Sequence, residues 1–387
     1  MIRNISIGID VGSSTTKVIV GEFVKGEKNP KIIGVGESAT LGMRHGYVVN
    51  VEEAVSSVKK AVTEAEKNSG IKIKRAVVSL SGITLKSEIG AGVSIITKAD
   101  GEVTGLDINK ILEECEDSLN LNNKKVIQVV PLSYRLDGQE VLGRLEGMRG
   151  NKLEAKALFV TYSIQHLEDL LSVLAEIGVE AIDVIPSGVA GGFIALSDKQ
   201  KIVGGALVDI GAEKVSISVF ENGILSSIHT FSIGGADITN DIALGMRIPI
   251  ETAESLKLGN IIEEFSKKRL EEIIEARLSD IFELIENYLK KIKRSELLPA
   301  GIVFIGGGAN TSFLSELSKS ILKLPSQVGT TEIFGNAKTK LRDPSYFTAL
   351  GLILAFRDNE NYSESSFSGF FKDIKRTLKS SLKQLMP

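Results

Sequence analysis

Residues 7–20, IGIDVGSSTTKVIV, and residues 206–220, ALVDIGAEKVSISVF, carry one pattern: an apolar run, an aspartate, Val or Ile, a glycine, a short loop, and a β-branched strand. In the first copy the strand ends on Asp10 and the chain turns through Gly12, Ser13, Ser14 and Thr15, with Lys17 opening the next strand. Alone, this stretch reads equally well as a Ser/Gly-rich hairpin. A second copy roughly 200 residues on makes it an internal repeat, which implies duplicated halves. A glycine-lined loop leaves backbone N–H groups free to converge on an anion, because no Cβ blocks the approach. The hydroxyls add donors and Lys17 adds charge. Asp10 offers the hard oxygen that a hydrated magnesium ion prefers. Two such loops facing each other can clamp opposite sides of a polyphosphate.

Three further glycine clusters, IPSGVAGG (185–192), SIGGAD (232–237) and FIGGGAN (304–310), stand where strands are predicted to give way to helices. The last two are expected to aim helix N-termini at a ligand, where the dipole favours negative charge. Any one cluster can be explained by packing alone. The other common phosphate signatures, G-x-x-x-x-G-K-[ST] and G-x-G-x-x-G opening a helix, are absent.

Between the repeats, 83–160 has its own character: strand LKSEIGAGVSII, helix DINKILEECEDSL, then strands around VIQVVPLSYRLDG and KLEAKALFVTYS. It reads as an inserted α+β subdomain. The flanking segments 1–82 and 161–196 form the first half, and 197–357 the second. In the second half, Leu270, Ile274, Leu278, Ile281, Ile285 and Leu289 recur at helical spacing, a stripe read as core rather than a partner surface. Residues 358–369 are polar and Ser-rich and read as a linker.

The 387 residues carry 43% apolar and 25% charged side chains, ordinary globular usage, and a net charge of −3 gives no sign of a nucleic-acid binder. A single cysteine, Cys115, excludes a disulfide framework, and three scattered histidines lack ligand spacing. The start MIRNISIGID reads straight into a strand, so no signal peptide is expected. No apolar run approaches the ~18 residues of a membrane span.

The two repeats, with GIVFIGGGANTSFLSELSKSI (301–321), resemble the two phosphate motifs and the adenosine motif of the actin-like ATPases. Within that superfamily, the segments at 36–70, VIQVVPLSYRLDGQE (126–140) and GGADITNDIALGMRIPIETAESLK (234–257) are most similar to the FtsA family of bacterial cell-division proteins. The resemblance covers residues 4–356. It implies an α/β, duplicated ribonuclease-H-like (actin-like ATPase) fold that binds ATP and Mg2+. Asp10 and Asp209 then organise the metal and its waters. Gly12, Ser13, Ser14, Thr15, Gly211 and Ala212 cradle phosphates, with Lys17 a phosphate contact and Gly234 and Gly235 approaching by backbone. Glu254 and Lys257 reach the ribose and adenine, and Gly306, Gly307, Gly308 and Ala309 pass beneath the adenosine. The family's second loop usually reads D-I-G-G-G-T-T, whereas this chain has DIGAEKVS. A Cβ at Ala212 narrows the approach and Glu213 brings a carboxylate near a phosphate unless it points away; Lys214 compensates in charge. Binding is therefore expected to be firmer than hydrolysis, with turnover slow or absent.

The chain ends GFFKDIKRTLKSSLKQLMP (369–387), with Phe371, Ile374, Leu378, Leu382 and Leu385 on one helical face and lysines around the rest. A basic amphipathic helix behind a linker is the pattern of an interfacial anchor, and lysines favour anionic lipid. Phe370 and Phe371 supply the aromatic insertion, and Lys375 and Lys379 flank it. The alternative is a terminal helix docked on the protein's own body. The family resemblance implies FtsZ, a filament of its own copies, an anionic membrane surface and later divisome proteins as partners. It places the chain at mid-cell on the cytoplasmic face of the cell membrane, with the FtsZ contact around 240–300. Two other readings share the fold: a PilM-like platform for type IV pilus assembly, and a sugar kinase, for which no carboxylate base can be nominated.

Overall fold

The structure, a computed structural model, describes residues 4–361 apart from 25, 26, 28, 261–264, 332 and 334–338. These group into two units, 4–83 with 166–361, and 84–165. The membrane-helix expectation at 370–387 lies outside the described residues.

The larger unit opens with β1 (Asn4–Val11), β2 (Thr15–Phe23) and β3 (Lys31–Ala39), an antiparallel meander. Val18, Ile19 and Val20 are all fully buried, as a continuous apolar run requires of a strand covered on both faces. The turn between β1 and β2 is tighter than the sequence suggests. Thr15 already pairs with Ala39 of β3, which leaves Gly12, Ser13 and Ser14 as the turn. A small hairpin, β4 (Met43–Arg44) and β5 (Tyr47–Val48), reverses at His45 and Gly46, both at positive φ. Next, α1 (Val51–Ser69) starts on the Asn50 side chain, which accepts from the Glu53 N–H, and stops at left-handed Gly70. It packs over β3. Strand β6 (Arg75–Leu80) then adds parallel to β1.

The inserted unit contains β7 (Lys86–Ile95), α2 (Gly105–Asp117), β8 (Lys124–Leu136), β9 (Gln139–Glu140) and β10 (Lys152–Ser163). Its sheet has the order β7-β10-β8-β9, with Ile111, Cys115, Leu153 and Phe159 in the core beneath α2. Because β10 runs on to Ser163, the unit extends a few residues past 160. Cys115 is a free, buried thiol.

After α3 (Ile164–Glu176), β11 (Glu180–Pro186) completes the first sheet in the order β11-β6-β1-β2-β3. Helices α4 (Ser187–Ala195) and α5 (Asp198–Val203) lead into a second meander, β12 (Gly205–Ile210), β13 (Val215–Glu221) and β14 (Ile224–Phe231). Then come α6 (Gly235–Met246), α7 (Ile250–Lys257), α8 (Lys267–Lys291), β15 (Ile302–Ile305), α9 (Leu314–Leu322), β16 (Ser326–Val328) and α10 (Phe347–Asn361). The second sheet has the order β14-β13-β12-β15-β16. Each sheet is thus an antiparallel meander followed by two parallel strands, the same connectivity twice. The apolar stripe of α8 is buried in the second core with Phe304.

The halves exchange helices. Helix α4 follows the first sheet yet packs on β12 and β13, whereas α10 follows the second sheet and packs on β1 and β2. The two cross at Gly351, where a Cβ would lie 1.8 Å from the Ala190 carbonyl oxygen, so no side chain fits there. Helix α10 also takes in residues 358–361, the first part of the expected linker. Among the described residues, no helix is long and apolar enough to cross a membrane.

Candidate functional site: a cleft between two matched hairpin turns

Asp10 is the last residue but one of β1 and Asp209 the last but one of β12, so each carboxylate stands near the corresponding end of its strand. The turns that follow share a bond. Gly12 N–H donates to the Thr15 carbonyl at 3.1 Å, and Gly211 N–H donates to the Lys214 carbonyl at 2.9 Å. Strand register agrees, with Val11 opposite Thr16 and Ile210 opposite Val215. Position by position, Ser13, Ser14 and Thr15 correspond to Ala212, Glu213 and Lys214.

Both turns face one cavity of ≈ 860 Å³. Asp10, Gly12, Ser13, Ser14, Thr15 and Lys17 line it from the first half. Asp209, Gly211, Ala212, Gly235, Glu254, Lys257, Gly306, Gly307 and Gly308 line it from the second. Two expected residues stand elsewhere. The Gly234 N–H is taken by the Asp237 carboxylate at 2.7 Å, a helix cap, and Ala309 is buried in the second core. The third glycine cluster does not open a helix directly: Gly307–Asn310 makes one 3-10 turn, and left-handed Phe313 separates it from α9.

Each hairpin sends one lysine into the cleft. Lys17 donates to Thr15 Oγ1 (3.3 Å) and to the Ser345 carbonyl (2.9 Å), under the Tyr346 ring. Lys214 donates to Ser81 Oγ across the cleft. Burial pushes the Lys214 ammonium below its ordinary pKa, against the pull of Asp10, Asp209 and Glu213. Burial likewise pushes Asp209 up to about 6, a rise that Lys214 resists and Asp10 reinforces. Asp10 accepts from Ser79 Oγ at 2.5 Å. Glu213 points away from the cavity, its carboxylate accepting from the His45 backbone N–H at 2.7 Å.

At the rim, Glu37 accepts from Tyr346 Oη (2.8 Å) and pairs with Lys340. Burial alone would raise Glu37, but those two bonds hold it below the usual carboxylate range. On the far wall, Lys257 donates to the Gly235 carbonyl, Thr239 Oγ1 and Glu254 Oε2 at 3.0, 2.7 and 2.6 Å. This fixes α7 against α6 with Glu254 and Lys257 at the cavity.

Sequence reasoning missed Ser81, Ser187 and Ser345, all in the lining. Ser187 opens α4, is 2% exposed, and its hydroxyl has no hydrogen-bond partner among the described residues. It stands inside IPSGVAGG, which was read only for its glycines; Ser345 acts through its carbonyl and leaves no signal in the sequence.

Asp10 and Asp209 bring two carboxylates to the cavity, the number that holds a magnesium ion together with phosphates and water rather than in an all-protein cage, and no cluster of three or more His, Cys, Asp or Glu side chains exists among the described residues. A buried ammonium, Lys214, sits within electrostatic reach of both carboxylates.

Comparison with known proteins follows the same division of the chain. A family model described as "Cell division protein FtsA" matches residues 206–351, and one described as "SHS2 domain inserted in FTSA" matches 82–161. The cell division protein FtsA of Bacillus subtilis (strain 168) is 31% identical over 369 residues, covering 90% of this chain and 82% of that one. That of Pseudomonas aeruginosa is 29% identical, covering 90% and 88%. Among solved structures, the PilM-PilN type IV pilus biogenesis complex aligns with a TM-score of 0.68 at 17% identity, over 90% of this chain and 98% of that one. MreB5 of Spiroplasma citri bound to ADP aligns with a TM-score of 0.55 at 12% identity, over 97% and 98%. At these identities the structural likeness is one of fold, and the fold is actin-like.

Proposed function

Because the chain belongs to the FtsA family of cell-division proteins, we propose that it binds ATP in this cleft and tethers FtsZ filaments to the cytoplasmic face of the cell membrane at mid-cell. The observation that carries the nucleotide reading is the matched pair of glycine turns facing one cavity. Its volume of ≈ 860 Å³ lies within the usual range of small-molecule sites, and Ser187 leaves a buried hydroxyl unsatisfied in its wall. Phosphates sit between the turns, with Lys17 and Lys214 as the cations. The adenosine lies over Gly306–Gly308, with Glu254 and Lys257 beside it. Asp10 and Asp209 would hold a magnesium ion brought in on the nucleotide's own phosphates, where it would neutralise phosphate charge. Hydrolysis is slow or absent: Ala212 narrows the second turn, and Glu213 is held by His45 away from any attacking water.

The tether is residues 370–387, an amphipathic helix that inserts Phe370 and Phe371 and sets its lysines on anionic headgroups. Filament formation and the recruitment of later divisome proteins involve the inserted unit. The likeness to PilM is one of fold, whereas the sequence relatives are division proteins, which favours this reading over a pilus platform. Co-sedimentation of the full chain with FtsZ filaments and vesicles of phosphatidylglycerol tests the proposal. The full chain is expected to carry FtsZ down with the vesicles, and the chain ending at Ser368 to bind FtsZ but leave the vesicles. Vesicle binding that survives the truncation, or no FtsZ in either pellet, refutes it.

A further inference from the structure

We propose that Lys214 is a built-in cation that lets this cleft hold a polyphosphate without a divalent metal ion. The inference rests on the ATP reading above. Lys214 occupies the fourth position of the second turn, where the first turn has Thr15. Its side chain is almost wholly buried, and it reaches across to Ser81 of the other half. Lys17 enters from the opposite wall and is buried to the same degree. Each hairpin therefore contributes one aspartate at the strand end and one lysine near it, although the lysines stand at different positions of the repeat.

A lone ammonium is costly to bury, and Asp10, Asp209 and Glu213 all attract this one. An ammonium carries three donors, of which Ser81 takes one, so further N–H groups remain for phosphate oxygens. Burial lowers the Lys214 pKa against those three carboxylates, and a divalent ion brought in on the phosphates would share Asp10 and Asp209 with that ammonium. Glu213, the carboxylate that would repel a phosphate, is turned aside and held by His45. Two of the three residues by which this turn departs from D-I-G-G-G-T-T thus act together: Lys214 brings a cation in, and the Glu213 carboxylate is kept out.

The test is ATP binding by the full chain, measured by calorimetry in Mg2+ and in excess EDTA, for wild type and Lys214→Met, which keeps the stem and removes the charge. Wild type is expected to bind ATP within about threefold in the two conditions, and Lys214→Met to lose about tenfold or more in EDTA and regain it with Mg2+. A wild-type affinity that falls tenfold or more in EDTA overturns the inference and leaves ATP binding standing, a result that does not depend on the variant folding. A folded Lys214→Met that binds as tightly as wild type in EDTA also overturns it. No binding by wild type in either condition overturns the ATP reading and this inference with it.

Discussion

His45 and Glu213 are joined twice: the His45 backbone N–H donates to Glu213 Oε2 at 2.7 Å, and the imidazole Nδ1–H donates to the Glu213 carbonyl at 2.9 Å. The hairpin tip that carries His45 also touches the first turn, where the Gly46 N–H donates to Ser13 Oγ at 3.2 Å. One short hairpin therefore braces both phosphate turns. Hydrogen bonds to a charged acceptor contribute about 1.5–3 kcal/mol, so Glu213→Ala should destabilise the protein by about that amount. Glu213→Gln keeps an acceptor and should cost less. Urea denaturation of the three proteins checks the order; equal midpoints for wild type and Glu213→Ala would remove the brace.

Neighbouring glycines under the cleft differ sharply in what they permit. Gly306 has φ +85°, and a Cβ there would lie 2.3 Å from Asp209 Oδ1 and 2.6 Å from the Ile210 carbonyl oxygen. At Gly307 a Cβ would meet nothing within 4 Å. Gly306→Ala should therefore destabilise by roughly 2–4 kcal/mol through strain and displacement of Asp209. Gly307→Ala should unfold within about 0.5 kcal/mol of wild type, yet its methyl enters the cavity and should weaken ATP binding about tenfold. Thermal melts beside calorimetric ATP titrations separate the two effects.

The repeat made the duplication legible, because a strand, an aspartate and a glycine turn are local features that one segment encodes by itself. The buried stripe of α8 was legible for the same reason, as helical periodicity. What escaped is non-local. Nothing in IPSGVAGG tells that α4 crosses to the second sheet, or that Ser187 there faces a cavity without a partner. Nothing in DIGAEKVS tells that Glu213 turns towards a hairpin about 170 residues earlier while Lys214 turns towards Ser81. The glycines of FIGGGAN were legible as a close approach, but the 3-10 turn that two of them enter is separated from α9 by the left-handed Phe313, a conformation its residue type does not announce.

Ser187 offers a way to distinguish a binding wall from a packing wall. A buried hydroxyl without a partner costs about 1–3 kcal/mol of desolvation, so Ser187→Ala should raise the stability of the ligand-free protein by about 1 kcal/mol. If a phosphate oxygen or its water satisfies that hydroxyl, the same change should weaken ATP binding by roughly tenfold. A stabilised variant with unchanged affinity would make Ser187 a packing residue only.

Asp209 gives the cleft a pH signature. Its folded pKa of about 6 stands above the unfolded carboxylate value near ~3.9, because the buried side chain pays to ionise and Asp10 repels it. A carboxyl held more tightly protonated in the native state stabilises the fold below both values, and that contribution is lost as pH rises through the folded pKa. Asp209→Asn cannot titrate there. The wild type should therefore lose about 1 kcal/mol relative to the variant between roughly pH 5 and pH 7.5. Urea midpoints of both proteins across that range measure the difference, which includes the loss of the Asp209 pull on Lys214. A gap that stays constant with pH would mean that Asp209 ionises as freely in the folded cleft as in the open chain.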